Sequence, residues 1–126
     1  MKKTVVAFAL CVFLCGIYSV HVFGSSDVAQ EIPVKNMVTM LDLGTDKCAP
    51  CKMMEPILKS LKKEYEGKAS IVVVDVMKKP EHARKYGVRV IPTQIFFDRS
   101  GKEVSRHVGF MDKKSIVSVL KKLGVN

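Results

Sequence analysis

The chain has 126 residues, with 21 basic and 12 acidic side chains, four cysteines and no tryptophan. That length suits one domain. The net charge of +9 could serve nucleic acid or an anionic surface. However, the lysines are spread along the chain, with no arginine-rich run and no aromatic stacking motif. Nucleic acid is therefore not an expected partner, and the basic surface reads as a solvated one that can sit near anionic lipid heads or acidic proteins.

The first stretch is not domain-like. Lys2 and Lys3 precede TVVAFALCVFLCGIYSVHVF, twenty residues without Asp, Glu, Lys or Arg. Gly24 then offers a small residue for cleavage. Residues 1–24 are read as a signal peptide or, because the run reaches the ~20 residues that can span a bilayer, as an uncleaved N-terminal anchor. Either reading exports the rest to a periplasmic or other extracytoplasmic space, and contact with the membrane is expected only through such an anchor. Without Lys2 and Lys3, 19 basic and 12 acidic side chains remain, a net +7. Cys11 and Cys15 fall in this leader, and bulky Leu10 and Leu14 before them do not suit a lipoprotein site.

Residues 25–36 read as a linker or short first element, and 37–126 as the domain. MVTMLDL (37–43) is a nearly continuous apolar run, as in a strand buried on both faces. From Pro50 the pattern turns helical. Met54, Ile57, Leu58, Leu61 and Tyr65 form one stripe, Gly67 ends it, and Pro56 inside it predicts a bend. SIVVVDV (70–76) reads as a second buried strand, and PEHARKYG (80–87) as a short helix with proline in its first turn. TQIFFD (93–98), a turn at 99–101 and KEVSRHV (102–108) form a hairpin. Residues 112–124 close with a helix capped by Asp112 and lined by Ile116, Leu120 and Leu123. Strand–helix–strand at this spacing implies a right-handed parallel crossover. The expected fold is α/β: a three-layer sandwich, a mixed central sheet with helices on both faces.

The pair Cys48-Ala-Pro-Cys51 falls where strand gives way to helix. A disulfide across two residues closes too small a loop to stabilise much by chain entropy. Zinc commonly takes four ligands, and the domain offers one cysteine pair, with His82 and His107 in no ligand spacing. A metal-binding module using the pair for copper or zinc stays as an alternative. The chemistry favoured by the residues is thiol exchange. Cys48, at a helix N-terminus and beside Lys47 and Lys52, should be the exposed, low-pKa nucleophile. Cys51, one turn on, can attack a mixed disulfide formed on Cys48, and Pro50 stiffens the loop.

The segments LDLGTDKCAPCKMMEPIL, VVDV, KYGVRVIPTQIFF, GKEV and VGF together resemble the thioredoxin family over about residues 37–123. The resemblance implies a thioredoxin-like three-layer sandwich and a protein-disulfide oxidoreductase without cofactor or bound metal. It matches Cys48 to the attacking cysteine and Cys51 to the resolving one, and Pro92 to the family's cis-proline. Ile91 would pair through its backbone with an extended client. Asp42 matches a buried acid that takes the proton of Cys51, and burial in an apolar strand should raise its pKa. Lys47, Ala49, Pro50, Val90, Ile91, Gly109 and Phe110 would frame the partner groove.

Several positions depart from the family pattern. Lys47 replaces a tryptophan, Gly44 another aromatic, Ala49 a glycine, and Val73 the lysine that often partners the buried acid. The expected activity is reduction of disulfides in exported proteins, by a monomer, with electrons from a membrane thiol donor. Donation of the disulfide as an oxidant is the rival direction.

Overall fold

The computed structural model describes residues 30–126; the predicted leader lies outside the described residues. Seven elements follow in chain order: β1 (Thr39–Gly44), α1 (Ala49–Glu64), β2 (Ser70–Asp75), α2 (Pro80–Lys85), β3 (Thr93–Phe97), β4 (Glu103–Val108) and α3 (Lys113–Lys122). The described sheet has the order β2-β1-β3-β4. β1 pairs parallel with β2 and antiparallel with β3, and β4 pairs antiparallel with β3. This is the mixed sheet expected of a crossover followed by a hairpin.

Apolar residues of β1 alternate between two faces because strand side chains have a period of two. Met40, with Ile71 and Phe96, packs against Met54, Leu58 and Leu61 of α1 and Ile116 and Leu120 of α3. Leu41 and Leu43, with Val72, Val74, Ile95 and Phe97, pack on the other face beneath Tyr86 and Val88. All six residues of β1 are buried, as its sequence predicts. Each large apolar side chain removed from water in this way contributes about 1.5–3 kcal/mol. The second layer is thin: α2 itself buries no residue, and the chain just after it supplies the cover.

α1 buries Cys51, Met54, Leu58 and Leu61, and Tyr65 follows on the same stripe. The helix continues through exposed Pro56. The ring removes the N–H that the Lys52 carbonyl would otherwise receive, on a side of the helix open to water. Asp112 caps α3 by accepting the Ser115 N–H at 3.0 Å. β2 differs from its reading as a fully buried strand. Val73 is 56% exposed, because β2 is an edge of the described sheet and only its Ile71, Val72 and Val74 are covered.

The end of the predicted linker is docked. Ile32 is buried, its carbonyl accepts the Tyr86 hydroxyl at 2.7 Å and Lys85 Nζ at 3.4 Å, and Pro33 lies against Gly101 of the hairpin turn. Among the described residues no helix is long and apolar enough to cross a membrane.

Candidate active site

The sheet topology gathers distant segments at one end. β1 runs out at Gly44 toward Cys48, and antiparallel pairing places Thr93, the first residue of β3, opposite Leu43. Val108, the last residue of β4, faces Thr93 in turn. The Cys48 loop, Val90–Pro92 and Gly109–Phe110 therefore all leave the sheet at the same end. One hydrogen bond ties the last two together, and a second braces the turn that carries Pro92. The Gly109 N–H donates to the Pro92 carbonyl at 2.8 Å, and Thr93 Oγ1 donates to the Val90 carbonyl at 2.6 Å. The Ile91–Pro92 bond is cis, the geometry the resemblance implies. Val90 and Phe110 are exposed apolar residues, Lys47 and Ala49 are exposed, and Pro50, Ile91 and Gly109 are half-buried.

Cys48 is the N-cap of α1, in an extended conformation that starts the helix. Its sulfur accepts the Cys51 N–H at 3.4 Å. Orphan N–H groups and the positive end of the helix dipole therefore meet Cys48 Sγ, and no acid in the first turn opposes them. In the structure the two sulfurs form a disulfide, with the Cα atoms 5.2 Å apart. Cys48 is half-buried and Cys51 is 8% exposed, so an incoming group meets Cys48 far more readily.

Asp42 lies beneath this pair on the α1 side of the sheet. It is 2% exposed, and burial pushes its carboxyl above the ordinary carboxylate range, against the opposing effect of a Gln94 hydrogen bond. Gly44 shares that face, and its missing side chain lets the carboxylate and the inner sulfur both approach its backbone closely. A Cβ built there would stand 3.1 Å from Cys51 Sγ and 3.6 Å from Asp42 Oδ2. Asp42, Gly44, Cys51, Leu58 and Val73 line a cavity of about 380 Å³. That volume, with a carboxylate in its wall, has room for several waters.

Sequence reasoning missed Gln94. It is fully buried and sits directly across from Asp42 in the β1–β3 register. Its Nε2 donates to Asp42 Oδ1 at 2.8 Å and reaches Met54 Sδ at 3.3 Å. The available signal was a lone amide in an otherwise apolar strand, TQIFF. Among the described residues, no group of three or more His, Cys, Asp and Glu side chains gathers as a metal site would.

Comparison with known proteins agrees with this geometry. The family model described as Thioredoxin matches residues 19–122. A thioredoxin of Staphylococcus aureus is 40% identical over 97 residues, covering 77% of this chain and 92% of its own. A mutant thioredoxin of Halobacterium salinarum superposes with a TM-score of 0.63 at 31% identity, covering 70% of this chain and 75% of its own. A Fasciola hepatica thioredoxin gives 0.62 at 30% identity, covering 70% and 82%. With the helix-capping Cys48, the inner Cys51 and the mixed sheet that carries them, the chain belongs to the thioredoxin family, and it is a thiol–disulfide oxidoreductase.

Proposed function

We propose that the protein works outside the cytoplasm and reduces disulfides of exported proteins. The leader at residues 1–24 supports the location. The Cys-Ala-Pro-Cys loop, which resembles the reductase type, supports the direction. The observation that carries the mechanism is the division of labour between the two sulfurs: Cys48 half-exposed at a helix N-cap, and Cys51 buried beside a carboxyl.

In the first step the Cys48 thiolate attacks one sulfur of a client disulfide. That S–S bond breaks, the client's second sulfur leaves as a thiolate, and Cys48 is held in a mixed disulfide. Cys51 passes its proton to Asp42 through water in the cavity that both line. The Cys51 thiolate then attacks Cys48 Sγ, the mixed bond breaks, and the client sulfur held in it leaves as a thiolate; one proton from Asp42 and one from solvent complete the client dithiol. Two electrons have moved to the client, and Cys48–Cys51 is left oxidised. No cofactor is needed for such exchange. Val90 and Phe110 offer apolar contact to an extended client, Ile91 its backbone, and Lys47 a positive edge. A membrane-bound thiol donor restores the dithiol.

A second reading, donation of the disulfide to newly exported thiols, draws on the same N-cap. Stabilising the Cys48 thiolate stabilises the reduced protein, and that makes a stronger oxidant. The reduction potential decides between them. A value near roughly −270 mV supports the reductase, and one near about −120 mV replaces it with the oxidant.

A further inference from the structure

Resolution of the mixed disulfide needs an acid–base group that can hold a proton briefly inside the protein. Asp42 is such a group, but among the described residues it has no cationic partner. Val73 faces it from β2. On the α1 side Cys51 shares the Gly44 corner with it and Met54 meets the Gln94 amide, and α3 brings apolar side chains, Ile116 and Leu120 among them, to that core. Lys52, Glu55, Lys59 and Lys62 of α1 stand around the cavity, exposed to solvent, with Asp46 of the loop exposed and Asp75 of β2 partly so. His107 of β4 is one strand further, opposite Gln94 in the register, with its Nε2 3.1 Å from the Phe110 carbonyl. Among the described residues, none of these charged groups hydrogen-bonds to Asp42. Gln94 alone does, at 2.8 Å.

We propose that Gln94 is a positioning residue for the resolving step, an amide that supports Asp42 in both of its protonation states. Two observations carry this. The first is the buried, in-register hydrogen bond from Nε2 to Asp42 Oδ1. The second is the other end of the same amide: Gln94 Oε1 is buried and, among the described residues, has no partner. A buried acceptor without a donor is costly and needs a reason. The bond to Asp42 supplies one: Oε1 goes without a donor because the amide's orientation is set by Nε2 on the carboxyl. While Asp42 is ionised, Nε2 donates to Oδ1. When Cys51 gives its proton to Oδ2, Oδ1 becomes the carbonyl oxygen of the acid and still accepts the same bond. The amide carries no net charge, so protonation of Asp42 leaves no unpaired cation beside it, as a lysine would.

The proposal rests on the exchange mechanism above and concerns only its second step. Asp42 Oδ2, the oxygen nearer Gly44 and without a protein partner among the described residues, faces Cys51 and the cavity. Gln94 holds Oδ1, which fixes the carboxyl so that Oδ2 stays turned to the sulfur. Loss of the amide should make Asp42 harder to ionise and leave it free to turn.

The test is stopped-flow reaction of the reduced full chain with excess Ellman's reagent across a range of pH. Every protein tested carries Cys11→Ser and Cys15→Ser, so that only Cys48 and Cys51 report. The first release of thionitrobenzoate reports attack by Cys48, and the second reports closure by Cys51. In Gln94→Leu the first phase should keep its pH profile. The second should move to higher pH and slow about tenfold at neutral pH, the factor expected for a hydrogen bond to a charged group. Gln94→Glu should move it further, because two facing carboxyls compete for one proton. In an Asp42→Asn background Gln94→Leu should add nothing. A purely structural role would lower stability and leave the second-phase profile in place. An unmoved profile in both variants, or an equal effect with Asp42→Asn, overturns the proposal. Absence of the first phase in the unsubstituted protein would instead overturn the exchange mechanism on which it rests.

Discussion

Replacing Gly44 by alanine puts one methyl group where the structure has space for a hydrogen. The new Cβ would stand 3.1 Å from Cys51 Sγ, 3.3 Å from Cys51 Cβ and 3.6 Å from Asp42 Oδ2. The first two distances are shorter than ordinary carbon–sulfur and carbon–carbon contact, so something must move. In the oxidised protein Cys51 Sγ is tethered at both ends, by its own Cβ in the first turns of α1 and by Cys48. It cannot yield without shifting the helix start. Overpacking of this kind costs about 1–3 kcal/mol, set against about 0.4–1 kcal/mol from the stiffer unfolded chain. The oxidised form should lose about 1–2 kcal/mol. In the reduced form the thiol is free of Cys48 and can turn away, so the part of the cost that comes from the sulfur disappears and only the Cβ contact remains. A difference of about 1.4 kcal/mol between the forms raises the reduction potential by about 30 mV. Urea unfolding of both forms, with equilibration against dithiol buffers, measures each side of that cycle independently. Equal losses in the two forms with an unchanged potential would refute the reasoning, as would full stability in the oxidised form.

Cys48→Ser should abolish exchange, whereas Cys51→Ser should accumulate mixed disulfides on Cys48, visible as client adducts by intact mass; turnover by the Cys48→Ser protein would sink the mechanism. Asp42→Asn should stabilise the protein at neutral and alkaline pH. The folded carboxyl titrates above its unfolded value, so the wild type carries no penalty below about pH 4. Its stability falls as the pH rises toward the raised folded pKa, and the penalty is complete above it. Urea unfolding at acid and alkaline pH should show the gap open by about 1.4 kcal/mol for each unit of displacement, and a gap that widens toward acid would contradict the direction. Leu61→Ala, fully buried against the sheet, should cost about 2–5 kcal/mol, read as a lower urea midpoint at unchanged slope; a loss below about 1 kcal/mol would mean that this core is not packed as described.

What could be read in the sequence was local. The stripe from Met54 to Tyr65 follows helical spacing, the run at 37–43 is apolar but for Thr39 and Asp42, and Cys48 and Cys51 bracket a proline at a helix start. These patterns depend on neighbours a few residues away, and they are where the structure puts them. What escaped depends on pairing between distant segments. Gln94 is 52 residues from Asp42, and nothing near it announces that β3 will bring the two face to face. Val73 looks as apolar as its neighbours, and its exposure follows only from strand order. The docking of Ile32 turns on a tyrosine 54 residues away.

That docking fixes where the preceding chain meets the domain. Pro33 touches the hairpin turn after β3, and the Tyr86 ring that holds Ile32 packs edge-on against Phe97, the last residue of β3. The Cys48 loop lies beyond the first residue of β3. Whatever precedes residue 30 thus joins the domain at the pole opposite its sulfurs. A tether on that side would leave Cys48 pointing outward, away from the surface that holds the chain, with its reach set by the length of the segment before Ile32. Shortening that segment would restrict how far the domain can travel without touching a single residue of the exchange site.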